Sequence, residues 1–172
     1  LTYFKEPERM VEGRIKPPTV EIRNEKIISR HIYSIVLANF FRQFPDYFGN
    51  AESFFKLETS DISGTKKLEE YLGRKHESIL RSLKRVISKE LHSIFDLENW
   101  GWMDNLIGND GTLTRADIKI RDEFTHLKKY YRDKEEEWKK TTNQQKRNKL
   151  NSDMDWAHRR LEEIKKKQLI DF

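Results

Sequence analysis

Two stretches of apolar residues with a heptad period dominate the C-terminal third of the sequence. They are joined by a short polar link at residues 141–145. A heptad period places apolar side chains along one seam of a helix, so each stretch predicts a helix with a narrow buried edge. Because the link is short, we predict that the two helices fold back as an antiparallel hairpin over residues 112–172. The seam positions are Ile120, Phe124, Leu127, Tyr131 and Trp138 in the first stretch, and Leu150, Met154, Ala157, Leu161 and Ile164 in the second.

Residues 24–111 carry shorter apolar stripes at helical spacing. Asn24 suits the N-cap of a helix that should run to about Phe41. Residues 51–57 fit a short helix or a strand, and Thr65 is a possible N-cap for the next helix. The clearest stripe predicts one helix over residues 75–95; its members are Leu80, Leu83, Ile87, Leu91 and Ile94. We therefore predict an all-α fold, with a helical domain over residues 24–111, the hairpin over residues 112–172 and an extended strap over residues 1–23.

The composition limits the class of protein. Of the 172 residues, 37% are charged and 35% hydrophobic, which favours an elongated helical shape with a large surface. The chain has no cysteine, no apolar run long enough to span a bilayer and no signal-like N-terminus. We therefore expect a cytoplasmic protein without a membrane partner. Residues 1–111 are electrically balanced, whereas residues 112–172 carry 17 Lys and Arg against 12 Asp and Glu, so the whole excess of +5 lies there.

A basic face is predicted on the helix over residues 75–95. Arg81, Arg85 and Lys89 follow at steps of four, Arg74 lies further towards the N-terminus, and Lys84 flanks the row. Cations at this spacing repeat every ~6 Å along a helix, which suits contacts with successive phosphates of a nucleic-acid strand. The alternative is a solvated face opposite a core stripe, which gives the same pattern.

Other motifs indicate little chemistry. Trp100 and Trp102 flank a glycine, and either stack on bases or fill the core. The five histidines are far apart, so we expect no metal site. The sequence contains neither a glycine-rich loop of the kind that binds nucleotide phosphates nor the signature of a catalytic nucleophile. We therefore expect that this chain is not an enzyme.

The first part of the chain resembles the segment that follows the second motor domain in a group of large bacterial superfamily 2 DEAD/DEAH-box helicases. These helicases have a C-terminal domain of unassigned function, and many are of a phage-defence or DNA-repair type. The residues that carry the resemblance are Tyr3-Phe4, Pro7-Glu8-Arg9-Met10, Gly13, Pro17-Pro18, Asn24-Glu25 and Arg30-His31. The final residues, 168–172, resemble the start of the segment that leads out of the same region.

The resemblance implies that this chain, which begins with Leu, is an internal accessory segment of an ATP-dependent helicase. It would guide nucleic acid, DNA in preference to RNA, or couple to the motor core. ATP and Mg²⁺ would bind elsewhere in the parent protein, so no cofactor is expected here. Arg9, Pro17 and Pro18 would contact the motor core, and Arg30 and His31 would contact either that core or a phosphate. The alternative is a protein-interaction module or structural spacer without nucleic-acid contact.

Overall fold

The computed structural model describes residues 25–168, and all regular elements in this range are helices, which confirms the all-α prediction. The strap predicted for residues 1–23 lies outside the described residues. The closest approach to a sheet within the range is one isolated antiparallel bridge between Asn50 and Gln168. The α-helices are α1 (Glu25–Gln43), α2 (Ala51–Phe55), α3 (Gly64–Gly73), α4 (Glu77–Val86), α5 (Trp102–Ile107), α6 (Thr112–Lys140) and α7 (Gln144–Lys166); 3-10 helices span Pro45–Tyr47 and Lys89–Leu91.

The core of the helical part is built around the last turn of α1. Phe40 is fully buried, and its ring lies within 5.1–6.3 Å, centroid to centroid, of five other aromatic rings. Three of the five pairs are edge-to-face and two are tilted, and such contacts add to the stabilisation that burial of the rings already gives. The partner rings are those of Phe41, Phe44, Tyr47, Phe54 and Tyr71.

The two short helices after α1 have well-defined beginnings. Asn50 caps α2 through a bond from the Ser53 backbone N–H at 2.9 Å, which resolves the open choice between helix and strand in favour of helix. The cap of α3 is Ser63, whose hydroxyl accepts from Lys66 N, so the expectation for Thr65 was wrong. Gly64 lies so close to Phe54 that a Cβ there would come within 2.6 Å of the ring.

The prediction of a single helix over residues 75–95 was wrong. Helix α4 ends at Val86, and Ile87 is extended, with φ −87° and ψ 131°. Two β-branched residues followed by Ser88 are poor helix formers, and the break lets the Ile87 side chain reach the core, where it is 6% exposed. Ile94, assigned to the apolar stripe, is instead 62% exposed.

Helices α6 and α7 form the predicted antiparallel hairpin. Three side-chain pairs run in opposite chain directions along it: Glu123 with Arg160, Tyr130 with Trp156, and Trp138 with Arg147. Asn143 begins α7 by accepting from Lys146 N at 3.0 Å, so the turn lies where the polar link predicted it. Most seam residues are buried, and Tyr131, Trp138 and Met154 are partly buried.

The base of the hairpin is fastened to the helical part. Arg121 bonds the Asp117 carboxylate at 2.6 Å and also donates to the backbone carbonyl of Phe55. Lys165 bridges to Glu58 at 3.0 Å, in the loop after α2. Seam residues near the base, including Leu161, belong to the same hydrophobic cluster as the core of α1–α5. The two parts therefore share one core at this end of the hairpin.

Candidate nucleic-acid interface

Helix α4 presents one apolar side to the core and one basic side to solvent. Ile79 and Leu83, one turn apart, are fully buried and anchor the helix, which packs against α1. Arg81 and Arg85, also one turn apart, are exposed. A helix fixed on one side holds its outer cations at a constant separation of ~6 Å along the axis.

Arg81 and Arg85 belong to the larger group of cations in residues 25–168 that have no carboxylate partner. Within residues 25–168, no ion pair joins Arg81 or Arg85 to a carboxylate. Glu77 lies one turn before Arg81 and nevertheless forms no such pair with it. Guanidinium groups are permanently charged and can donate two parallel hydrogen bonds to a phosphate. The pair is thus an exposed hydrogen-bond donor surface on α4.

Lys84 is engaged in a different contact. Its ammonium lies 2.5 Å from the Glu98 carboxylate, which joins α4 to the turn that precedes α5. The hydrogen bond and charge of Lys84 hold the pKa of Glu98 below its usual value. Lys84 therefore has a structural contact that Arg81 and Arg85 lack.

The remaining candidate residues do not extend the row as expected. Arg74 lies at the C-terminal end of α3, and Lys89 lies in a 3-10 helix beyond the break at Ile87. Both are exposed, but they do not continue the regular spacing of α4, so the prediction of four cations on one helix face was wrong.

Arg30 and His31 are exposed on α1. Arg9, Pro17 and Pro18, expected to contact a motor core, lie outside the described residues.

The tryptophans considered for base stacking are not the exposed ones. Trp100 and Trp102 are buried, at 6% and 2% exposure, with ring centroids 5.6 Å apart, so they fill the core. The exposed tryptophan is Trp156, on α7, at 53% exposure. Sequence reasoning missed it, although its position two residues after Met154 and one before Ala157 puts it off the heptad seam.

Comparison of the chain with family models, with characterised proteins and with solved structures gave no match. In residues 25–168, no group of three His, Asp or Glu side chains is arranged to hold a metal ion. Nor does any helix in that range combine the length and apolar character needed to cross a bilayer.

Proposed function

We propose that this chain is a non-catalytic accessory domain of an ATP-dependent nucleic-acid helicase, and that it holds the nucleic-acid backbone on helix α4. The observation that carries the proposal is the exposed pair Arg81 and Arg85, unpaired among the described residues and fixed from behind by two buried side chains. The helicase context rests on the resemblance of the N-terminal residues. That resemblance implies that ATP and Mg²⁺ bind to the motor domains of the parent protein. It also implies that the ligand of this domain is DNA, in preference to RNA, in the cytoplasm.

The mode of binding would be contact with phosphates rather than readout of bases. Contacts to phosphate fix position but carry no sequence information, which suits a domain that accompanies a moving motor. Helix α6 has 29 residues and is therefore about 43 Å long, so the hairpin could act as a rigid guide beside a strand held on α4. Because the base of the hairpin shares its core with α4, both surfaces would move together.

A structural spacer without nucleic-acid contact is the second candidate. Arg85 lies in the last turn of α4, where a cation is favourable beside the negative end of the helix dipole. This placement explains Arg85 without any ligand, although it does not explain Arg81.

The test removes the two charges and measures binding across a salt series. Arg81→Gln with Arg85→Gln keeps polarity and helix propensity while removing both cations. The matched control is Lys139→Gln with Lys140→Gln, since these lysines are already paired with Glu135 and Glu136. Fluorescence anisotropy with labelled single-stranded and double-stranded DNA, and with RNA of the same sequence, supplies the affinities.

We expect the α4 variant to bind all sequences more weakly and to lose about 1.8 units from the slope of log K against log salt on duplex DNA, at ~0.9 per phosphate contact. The control should keep the slope of the parent chain. If the α4 variant retains the parent affinity and slope while its circular dichroism is unchanged, α4 is not the interface. A parent chain that binds none of the three nucleic acids would instead favour the spacer.

A further inference from the structure

An exposed aromatic groove runs along one side of the hairpin. Trp156 on α7 and Tyr130 on α6 pack edge to face within it, with ring centroids 6.0 Å apart and planes at 82°. A ligand would therefore lie against the exposed part of Trp156 rather than between the two rings. The groove has a volume of about 650 Å³, and the largely buried Leu127 lies at its floor. The groove thus exposes an apolar surface, including a tryptophan that is 53% exposed, on an otherwise highly charged helix.

One end of the groove is rigid. Arg160 is held by Glu123, at 2.8 and 3.1 Å, and by Glu163 at 3.1 Å. These bonds raise the pKa of Arg160 and fix the plane of its guanidinium. A fixed guanidinium can stack against an aromatic ligand, as it does in complexes with single-stranded nucleic acids. The groove therefore offers an indole and a guanidinium plane without prior rearrangement of the side chains.

Three cations without a carboxylate partner lie within two helical turns of Trp156 or Tyr130 along the chain, outside the residues that line the groove. Lys129, Lys149 and Arg159 are exposed, and none of them forms an ion pair within residues 25–168. Along α7, Lys149 precedes Trp156 by two turns, or about 10 Å, and Arg159 follows it by about 4.5 Å. Lys149 and Arg159 thus place one positive group on each side of the exposed ring, although Asp153 and Asp155 lie between Lys149 and Trp156. The excess charge of residues 112–172 has the same sign.

We propose that this groove binds single-stranded nucleic acid, with a base stacked on Trp156 and the neighbouring phosphates near Arg159 and Lys149. This inference rests on the proposed function and adds a base-stacking site to the phosphate contacts of α4. Every base has a π-face, so stacking would tolerate any sequence while selecting unpaired strands over duplex. The site would grip a strand that the motor has already separated.

The experiment compares an oligothymidylate with an abasic oligomer of the same length, which carries the same phosphates and no bases. The variants are Trp156→Ala and Trp156→Phe, and the control is Phe48→Ala, which truncates a ring that is 68% exposed elsewhere on the surface. Anisotropy gives the affinities, and melting curves record the fold of each variant.

The parent chain should prefer the oligothymidylate by about 5- to 150-fold, the range for one stacked base. Trp156→Ala should abolish that preference and leave the abasic affinity unchanged, Trp156→Phe should restore part of it, and Phe48→Ala should keep it. Loss of the α4 arginines should instead weaken both ligands equally.

The inference is overturned if the parent chain shows no preference, if neither ligand binds, or if Trp156→Ala keeps the preference. If a preference persists in Trp156→Ala while the α4 variant still loses salt dependence, the proposed function stands and base stacking occurs at another site. If the Trp156 effect is present but the α4 variant behaves like the parent, the groove is the binding site and α4 is not.

Discussion

Leu161 is the position at which one substitution should most affect both parts of the fold. It is 8% exposed, belongs to the heptad seam of α7 and lies in the hydrophobic cluster that joins the hairpin to the helices before it. We expect Leu161→Asp to destabilise the whole chain, because the carboxylate would be buried in that cluster.

The magnitude follows from two contributions. Truncation of a buried leucine costs about 2–5 kcal/mol in lost apolar contacts and residual cavity. Burial of an unpaired carboxylate adds a further cost. Lys165, one turn later, offers little relief because Glu58 at 3.0 Å and Glu162 at 2.9 Å already bind its ammonium. With the ~1–3 kcal/mol that an unpaired buried polar group costs in proteins, the sum is about 3–8 kcal/mol. This is a large part of the ~5–15 kcal/mol that stabilises a typical domain.

Urea unfolding followed by far-ultraviolet circular dichroism measures this loss as a lower transition midpoint. Ile118→Asp is the matched control, since Ile118 is 55% exposed on α6 and its replacement should stay within ~0.5 kcal/mol of the parent. Leu161→Met, which conserves volume, should cost less than about 1.5 kcal/mol. A midpoint for Leu161→Asp equal to that of Ile118→Asp would refute the assignment of Leu161 to the core.

Two further predictions concern the helical part. Gly64→Ala should lower the free energy of unfolding by about 1–3 kcal/mol, because the new Cβ would lie 2.6 Å from the Phe54 ring. Gly73→Ala is the control and should cost nothing, because no atom lies within 4 Å of a Cβ at that position. Equal urea midpoints for the two variants would contradict this prediction. Lys84→Gln should raise the pKa of Glu98, measured by NMR titration of its carboxyl group, because Lys84 holds it down. A depressed pKa means that the contribution of Glu98 to stability is present above the ordinary carboxylate range and is lost as the pH falls through the folded value. An unshifted titration would exclude the Lys84 contact in solution.

The local sequence pattern was sufficient to predict the hairpin. The heptad spacing of residues such as Phe124 and Leu150, together with the polar link before Asn143, specifies both the buried edge of each helix and the reversal between them. This works because, in an antiparallel pair with a short turn, residues at about equal sequence distance from the turn contact each other. The first helix, α1, could be predicted for the same reason: its period is uninterrupted from Ile28 to Phe40.

The region after α3 could not be predicted in this way. A regular stripe from Leu80 to Ile94 suggested one helix, but burying Ile87 in a core made by distant residues requires an extended backbone at that position. Tertiary packing therefore outweighed the local period, and it removed Lys89 from the row formed by Arg81 and Arg85. The same reasoning applies to Glu98, whose pairing with Lys84 depends on a turn that returns to α4.

The sequence by itself determined that the chain is helical, where its hairpin turns and which residue types could hold a phosphate. Only the tertiary structure decided which of those residues are free to do so. Periodicity reports the contacts of a residue with its own helix, whereas exposure depends on which other elements cover it. That difference buried Trp100 and Trp102 in the core and left Trp156, two helices later, open to solvent.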